Sequence, residues 1–226
     1  MFNPLSTKDS AIQIALLLKG EDLWNLYYIN KQLLGWICNN EQFWNQKIIQ
    51  DFKINTYETL GRSGSLNDYR FLYDIKDVNS NVLNRLFIDE SKTENIDHIR
   101  LLLAYGADVR ADNDTALRWA AKNGHKDMVG LLLNYGANIH ALIDGALIFA
   151  SGNGHGDVVE LLLNNGADLH EQNDLALRWA AKHGYRDVVE LLINYGADIH
   201  AYNDDALKSA AKNGHRDVVE FIYQII

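Results

Sequence analysis

ALRWAAKNGH, residues 116–125, returns as ALRWAAKHGY at 176–185 and as ALKSAAKNGH at 206–215. A further copy, ALIFASGNGH at 146–155, keeps the frame and loses the charges. Gly106, Gly136, Gly166 and Gly196 share the same spacing of 30, each opening Gly-Ala-Asp or Gly-Ala-Asn. An apolar triplet precedes every one: Leu101–Leu103, Leu131–Leu133, Leu161–Leu163 and Leu191–Ile193. A fixed period of this length marks stacked units, none of which buries its apolar side alone.

Within one period the pattern reads as two short helices. The first runs from Ala116 to Asn123 and stops at Gly124, a natural left-handed end. The second runs from Asp127, an acidic residue at the positive helix end, to Asn134, and stops at Gly136. Ala116, Ala120 and Ala121 allow close approach of neighbouring first helices, while Val129, Leu131, Leu132 and Leu133 offer core surface.

These copies resemble the ankyrin repeat over roughly residues 80–226. The resemblance implies an all-α solenoid of helix pairs that binds proteins. Two departures stand out. The usual period is about 33, and the three missing residues fall between Gly-Ala-Asp and the first helix, where the family carries a β-hairpin finger. Tight turns are therefore expected there. The family's Thr-Pro-Leu-His start is also absent, with Ala116, Ala146, Ala176 and Ala206 at its proline. Asp114, Asp144, Asp174 and Asp204 stand just before each first helix and read as N-caps. The expected repeats are 80–109 (degenerate, with a charged first helix at 81–91), 110–139, 140–169, 170–199 and 200–226. The last ends in the apolar Phe221, Ile222, Tyr223, Ile225 and Ile226, which either self-associates or folds back.

Residues 1–52 have no thirty-residue copy. An apolar segment Ile12–Leu18 is followed by Asp22-Leu23, Ile29-Asn30-Lys31, Phe43-Trp44 and Asp51-Phe52. This order resembles the F-box, a three-helix module that binds the adaptor of a cullin-type ubiquitin ligase. The family's opening Leu-Pro is replaced here by Ser6-Thr7, with Pro4-Leu5 slightly upstream. By that resemblance Leu17, Leu18, Leu23 and Ile29 are adaptor contacts; as residues alone they are either core or adaptor contact, and most must be core for three short helices to fold. An F-box-like module ahead of ankyrin repeats, in an Asn- and Ile-rich chain, also looks like proteins of giant DNA viruses. Residues 53–79 hold Gly61-Arg62-Ser63-Gly64-Ser65, a linker signal, and then a connecting helix at Leu66–Ile75.

Bulk composition narrows the function classes. The chain has 226 residues, 47% hydrophobic and 23% charged, in the range of folded soluble domains. No apolar run has the roughly 20 residues of a membrane helix, and no signal peptide is legible. A single Cys38 rules out an internal disulfide and fits an intracellular setting, cytoplasmic or nuclear. A net charge of -9 disfavours nucleic acid as partner. No enzyme constellation, metal site or cofactor motif is present. His140, His170 and His200 recur one per repeat and read as structural.

The first helices carry the most informative variation. Arg118, Lys122 and Lys126 are spaced by four, as are Arg178, Lys182 and Arg186, which places each set roughly on one face. The odd copy has Ile148, Gly152 and Gly156 there, Phe149 for Trp119 and Trp179, and Leu142-Ile143 where the others have Asp112-Asn113, Gln172-Asn173 and Tyr202-Asn203. Leu142, Ile143, Ile148 and Phe149, flanked by Arg118, Trp119, Arg178 and Trp179, form a candidate target-docking face. Apolar anchors ringed by Trp and Arg are the usual make-up of binding hot spots, and acidic or phosphorylated segments suit the cations. The competing reading makes the aromatic residues partly core and the lysines a solvated face.

Two functions are expected from these features. One is a substrate-recruiting subunit, with the repeats holding a target protein and the front module a ubiquitin-ligase adaptor. The other is a plain binding scaffold whose front module covers the first repeat.

Overall fold

The computed structural model describes residues 41–54, 59 and 66–226. The adaptor residues suggested by the F-box resemblance, Leu17, Leu18, Leu23 and Ile29, lie outside the described residues, as does Cys38. The described residues form helices and turns, with no strand among them. They fall into two compact units, and the division passes through two helices, after Leu83 and after Ile96.

The first unit holds the described residues up to Leu83 together with Asp97–Ala107. Helix α1 (Glu41–Phe52) packs on α2 (Leu66–Ile75). Phe43, Trp44 and Ile48 of α1 and Leu72 and Ile75 of α2 are buried, on spacings of three, four and one that fit a helical stripe. Lys47 is also buried, with its ammonium 3.1 Å from Asp51 one turn on. Helix α3 (Ser80–Glu90) spans the unit boundary. Helix α4 (Ile96–Tyr105), largely in the first unit, buries Ile99, Leu101 and Leu102. There the Phe71 ring stacks on His98 at 4.0 Å, and the Tyr105 hydroxyl donates to the Lys76 carbonyl at 2.8 Å.

The second unit, residues 84–96 with 108–226, is the repeat array. Its helices are α5 (Ala111–Lys122), α6 (Lys126–Asn134), α7 (Gly145–Gly152), α8 (Gly156–Asn164), α9 (Glu171–His183), α10 (Arg186–Asn194), α11 (Ala201–Asn213) and α12 (Arg216–Ile225). First helices pack in the order α5, α7, α9, α11, and second helices in the order α6, α8, α10, α12. Close approach of first helices rests on alanine: Ala116, Ala120, Ala121, Ala150, Ala180 and Ala210 are essentially inaccessible. Val129 and Leu132, Val159 and Leu162, Val189 and Leu192, and Val218 and Ile222 fill the second-helix seam completely. Each such side chain contributes about 1.5–3 kcal/mol when fully buried.

Both helices of a repeat end in the same way. Gly124 (φ +77°) and Gly136 (φ +89°) adopt the left-handed conformation that closes a Schellman motif. His125 N–H donates to the Ala120 carbonyl at 3.0 Å, and Ala137 N–H to the Leu132 carbonyl at 3.0 Å. The ring of the following repeat lies against the first of these glycines. His155 stands over Gly124 and donates from Nε2 to the Lys122 carbonyl, 2.9 Å away; His215 stands over Gly184 and donates likewise to the Lys182 carbonyl.

Where the ankyrin pattern carries hairpin fingers, this chain makes tight turns of an unusual kind. Three consecutive non-glycine residues are left-handed in every repeat: 112–114, 142–144, 172–174 and 202–204, with φ between 49° and 62°. This is one turn of left-handed helix, costing roughly 1–2 kcal/mol per residue. Hydrogen bonds offset that cost. The side chain of Asp108, Asn138, Asp168 or Asp198 accepts the N–H two residues on, at 2.9, 3.1, 2.9 and 2.9 Å, an Asx turn.

The aspartates that end this turn stand where N-caps stand, as the sequence suggests, but their carboxylates bond elsewhere than to their own helices. Asp144 makes no capping bond. Its carboxylate, nearly inaccessible, instead accepts the backbone N–H of Asp168 in the next repeat at 2.9 Å. Asp114 reaches Asn138 N–H at 2.7 Å, and Asp174 reaches Asp198 N–H at 3.1 Å. Asn84 begins the series, accepting from Asp108 N–H at 2.8 Å, so the degenerate unit joins the same ladder. The left-handed turn rotates each carboxylate away from its own helix and into the neighbouring repeat.

Candidate protein-docking face

The candidate residues lie on the first helices α5, α7 and α9 and the turns that precede them. On α5, Trp119 is half-buried, with the ammonium groups of Lys122 and Lys92 over its ring at 4.7 and 5.3 Å. Arg118, also half-buried, donates from Nη2 to Thr115 Oγ1 at 2.6 Å and to the Asp112 carbonyl at 3.4 Å. Its Nε is buried and has no hydrogen-bond partner. On α9, Arg178 donates from Nε to Asp205 at 2.7 Å, lies over the Tyr202 ring at 4.2 Å, and donates from Nη1 to the Gln172 carbonyl at 3.3 Å.

The cations at this helix position share a task. Arg118, Arg178 and Lys208 each bond a carbonyl of the left-handed turn before their own helix: Asp112, Gln172 and Asn203 respectively. The odd repeat has Ile148 there and no such bond. Its turn is therefore the least compensated, and it holds Ile143, a β-branched residue at φ 62°. β-Branched residues in this region are rare and strained. Leu142 and Ile143 are also about half exposed, at 53% and 49%. Apolar exposure and backbone strain thus coincide at one turn.

The remaining members divide. Phe149 is half-buried and meets Trp179 edge-on at 6.4 Å between ring centres. Arg118, Trp119, Lys122 and Phe149 line a shallow pocket of about 100 Å³. Ile148 is buried, at 8% exposure, and so supports the seam rather than being displayed. Trp179, half-buried, also faces His183 at 6.2 Å. Sequence reasoning missed the residues that make room: a Cβ on Gly152 would stand 2.6 Å from Trp179 Cε3, and one on Gly145 would stand 3.0 Å from Arg118 Cδ. The loss of charge in the odd repeat is a packing solution for its neighbours' large side chains.

The recurring histidines are structural partners of the turn aspartates. His140, His170 and His200 Nδ1 lie 3.2, 3.1 and 2.7 Å from Asp144, Asp174 and Asp204. The hydrogen bond that Asp204 accepts raises the His200 pKa above 6.5; desolvation opposes it, and the charges of Asp204 and Asp198 add to the rise. Among the described residues no group of three His, Cys, Asp or Glu could hold a metal ion, and no helix is long and apolar enough to cross a membrane.

Family comparison agrees with this geometry. A model of ankyrin repeats in three copies matches residues 147–225, and a second ankyrin-repeat model matches 117–163. Residues 117–225 are therefore ankyrin repeats, all within the second unit. Ankyrin repeats are protein-interaction scaffolds, and their partners are proteins. No curated protein matches the chain.

Proposed function

We propose that the protein is a non-catalytic recruiting subunit. It holds a target protein on the first-helix face formed by Arg118, Trp119, Leu142, Ile143, Phe149, Arg178 and Trp179, with Ile148 as the buried support. Residues 1–52, through Leu17, Leu18, Leu23 and Ile29, would engage the adaptor of a cullin-type ubiquitin ligase. The observation that carries the target-binding half is the turn at Leu142-Ile143, where two apolar side chains are exposed from left-handed backbone. Stability alone favours Asn at the second of these positions, which is what the other repeats carry as Asn113, Asn173 and Asn203. Strain retained against stability is characteristic of binding surfaces.

The ligase half rests on the resemblance of residues 1–52 to the F-box. In this reading the protein works inside a cell, in cytoplasm or nucleus, and in a host cell if its origin is viral. The alternative is a scaffold without a ligase link, its front segment serving as a cap. Gel filtration of the full chain with purified adaptor at roughly tens of micromolar separates them. Co-elution supports recruitment; separate peaks favour the scaffold. Affinity purification of the wild type beside a Trp119→Ala/Phe149→Ala variant, read by mass spectrometry, tests the face, since proteins retained equally by both do not use it. Self-association through Tyr223, Ile225 and Ile226, all exposed, belongs to the same proposal and is read by the elution volume of the chain alone.

A further inference from the structure

The second unit contains its own template for a bound ligand. Arg118 and Arg178 occupy the same repeat position two periods apart, and each faces the first helix of the following repeat. Arg178 meets two groups there: the Asp205 carboxylate, 2.7 Å from its Nε, and the Tyr202 ring beneath its guanidinium at 4.2 Å. Shifted back by two periods, those groups become Gly145 and Leu142. Arg118 crosses Gly145 with its Cδ at what would be Cβ distance 3.0 Å. It makes no ion pair, and its Nε is buried without a partner. An unpaired buried N–H on a cation is a costly arrangement that a carboxylate would relieve.

From this comparison we infer that Arg118 is the seat for a carboxylate supplied by the target, an aspartate or glutamate on an extended segment. The neighbouring apolar or aromatic side chain of that segment lies on Leu142 and Ile143. The inference rests on the docking face proposed above and gives its chemistry. Three observations converge on it. The internal pair shows how a carboxylate binds at this position, in a half-buried site: Arg178 is 15% exposed and Asp205 32%. The residue that would supply it internally is glycine, which brings no carboxylate and has the Arg118 stem lying across it. The neighbouring groups suit an acid beside an apolar group: Arg118 shares a small pocket with Lys122, Trp119 and Phe149, Leu142 lies next to Gly145, and Leu142 and Ile143 are exposed. The intervening seam does not repeat the arrangement, because Ile148 and Leu175 stand at the corresponding positions.

The test installs the missing carboxylate in the protein. Gly145→Asp reproduces the Arg178–Asp205 pair, at a helix start where an acidic residue is favoured. The closest neighbour of the new Cβ is the flexible Arg118 stem at 3.0 Å, with Leu142 Cβ at ordinary contact distance, 3.8 Å. A random displayed-peptide library is selected against the full chain, and the recovered peptides are measured against wild type, Gly145→Asp and Arg118→Met. The expected result is enrichment of peptides carrying Asp or Glu next to an apolar residue. Their affinity should fall at least tenfold in Gly145→Asp and in Arg118→Met alike. Thermal melts show whether the variants are folded. Gly145→Asp should melt above wild type, and Arg118→Met should lower the melt more in the Gly145→Asp background than in wild type. The inference is overturned if the enriched peptides lack acids, if none are enriched, or if acidic peptides bind Gly145→Asp as tightly as wild type. The docking face itself is judged separately, by the Trp119→Ala/Phe149→Ala capture.

Discussion

Trp179 lies on Gly152, so closely that a methyl group there would stand 2.6 Å from its Cε3. Gly152 is helical, and in an open helix its replacement by alanine would stabilise by up to about 1 kcal/mol. Here the added carbon must displace an indole, and overpacking of this kind costs about 1–3 kcal/mol. Gly152→Ala is therefore expected to lower stability by roughly 1 kcal/mol and to alter the near-ultraviolet circular dichroism. A variant more stable than wild type would mean that the ring is not seated there.

Asp144 holds two repeats together. Its carboxylate is almost fully buried and accepts Asp168 N–H while lying 3.2 Å from His140 Nδ1. Asp144→Ala leaves a backbone donor unpaired, at a cost of about 1–3 kcal/mol. Asp144→Asn keeps the acceptor oxygen and should lose less. Urea titrations followed by far-ultraviolet circular dichroism give the order; equal losses would assign the effect to the negative charge instead.

Ile143 is predicted to be a position where stability and binding oppose each other. Asparagine tolerates the left-handed region, so Ile143→Asn should raise stability by roughly 1 kcal/mol. The same change should weaken capture of the target. A thermal melt and a pull-down on one preparation check both. A lower melting temperature would contradict the strain argument.

His200 titrates above its ordinary value because Asp204 accepts its proton-bearing nitrogen's hydrogen bond. The folded-state pKa is raised, so the stabilisation is fully present below pH 6.5 and fades as pH rises through the raised value. The side chain is exposed, and the contribution is correspondingly small. Proton NMR titration should show the His200 titration midpoint returning toward 6.5 in Asp204→Asn. No movement would remove Asp204 as the cause.

The period, the helix pairs and the closing glycines were legible in the sequence, because each is a local pattern: apolar spacing, alanine, and glycine at a left-handed end. The turn aspartates were not. Asp114, Asp144 and Asp174 stand where N-caps stand, and residue type alone does not distinguish a bond to the helix from one 24 positions onward. The recurrent Asn113, Asn173 and Asn203 carried a signal for the left-handed turn, since asparagine is the non-glycine residue most at ease there. At the candidate face, Ile148 looked displayed because arginine and lysine fill its position elsewhere. Those long side chains bridge to turn carbonyls and leave their stems in the seam, and a short apolar residue simply occupies that seam. Gly145 and Gly152 could not be read as space-makers, because the groups that need the space come from other repeats.

The ladder from Asn84 to Asp198 passes from each copy only to its successor, always with the same offset. A gene encoding such a chain can lose or duplicate thirty codons by unequal recombination, and the junction still meets a matching acceptor and donor. Length is thus free to vary while the joint is conserved, and a single deviating copy such as that around Gly145 can be moved, multiplied or erased as a cassette.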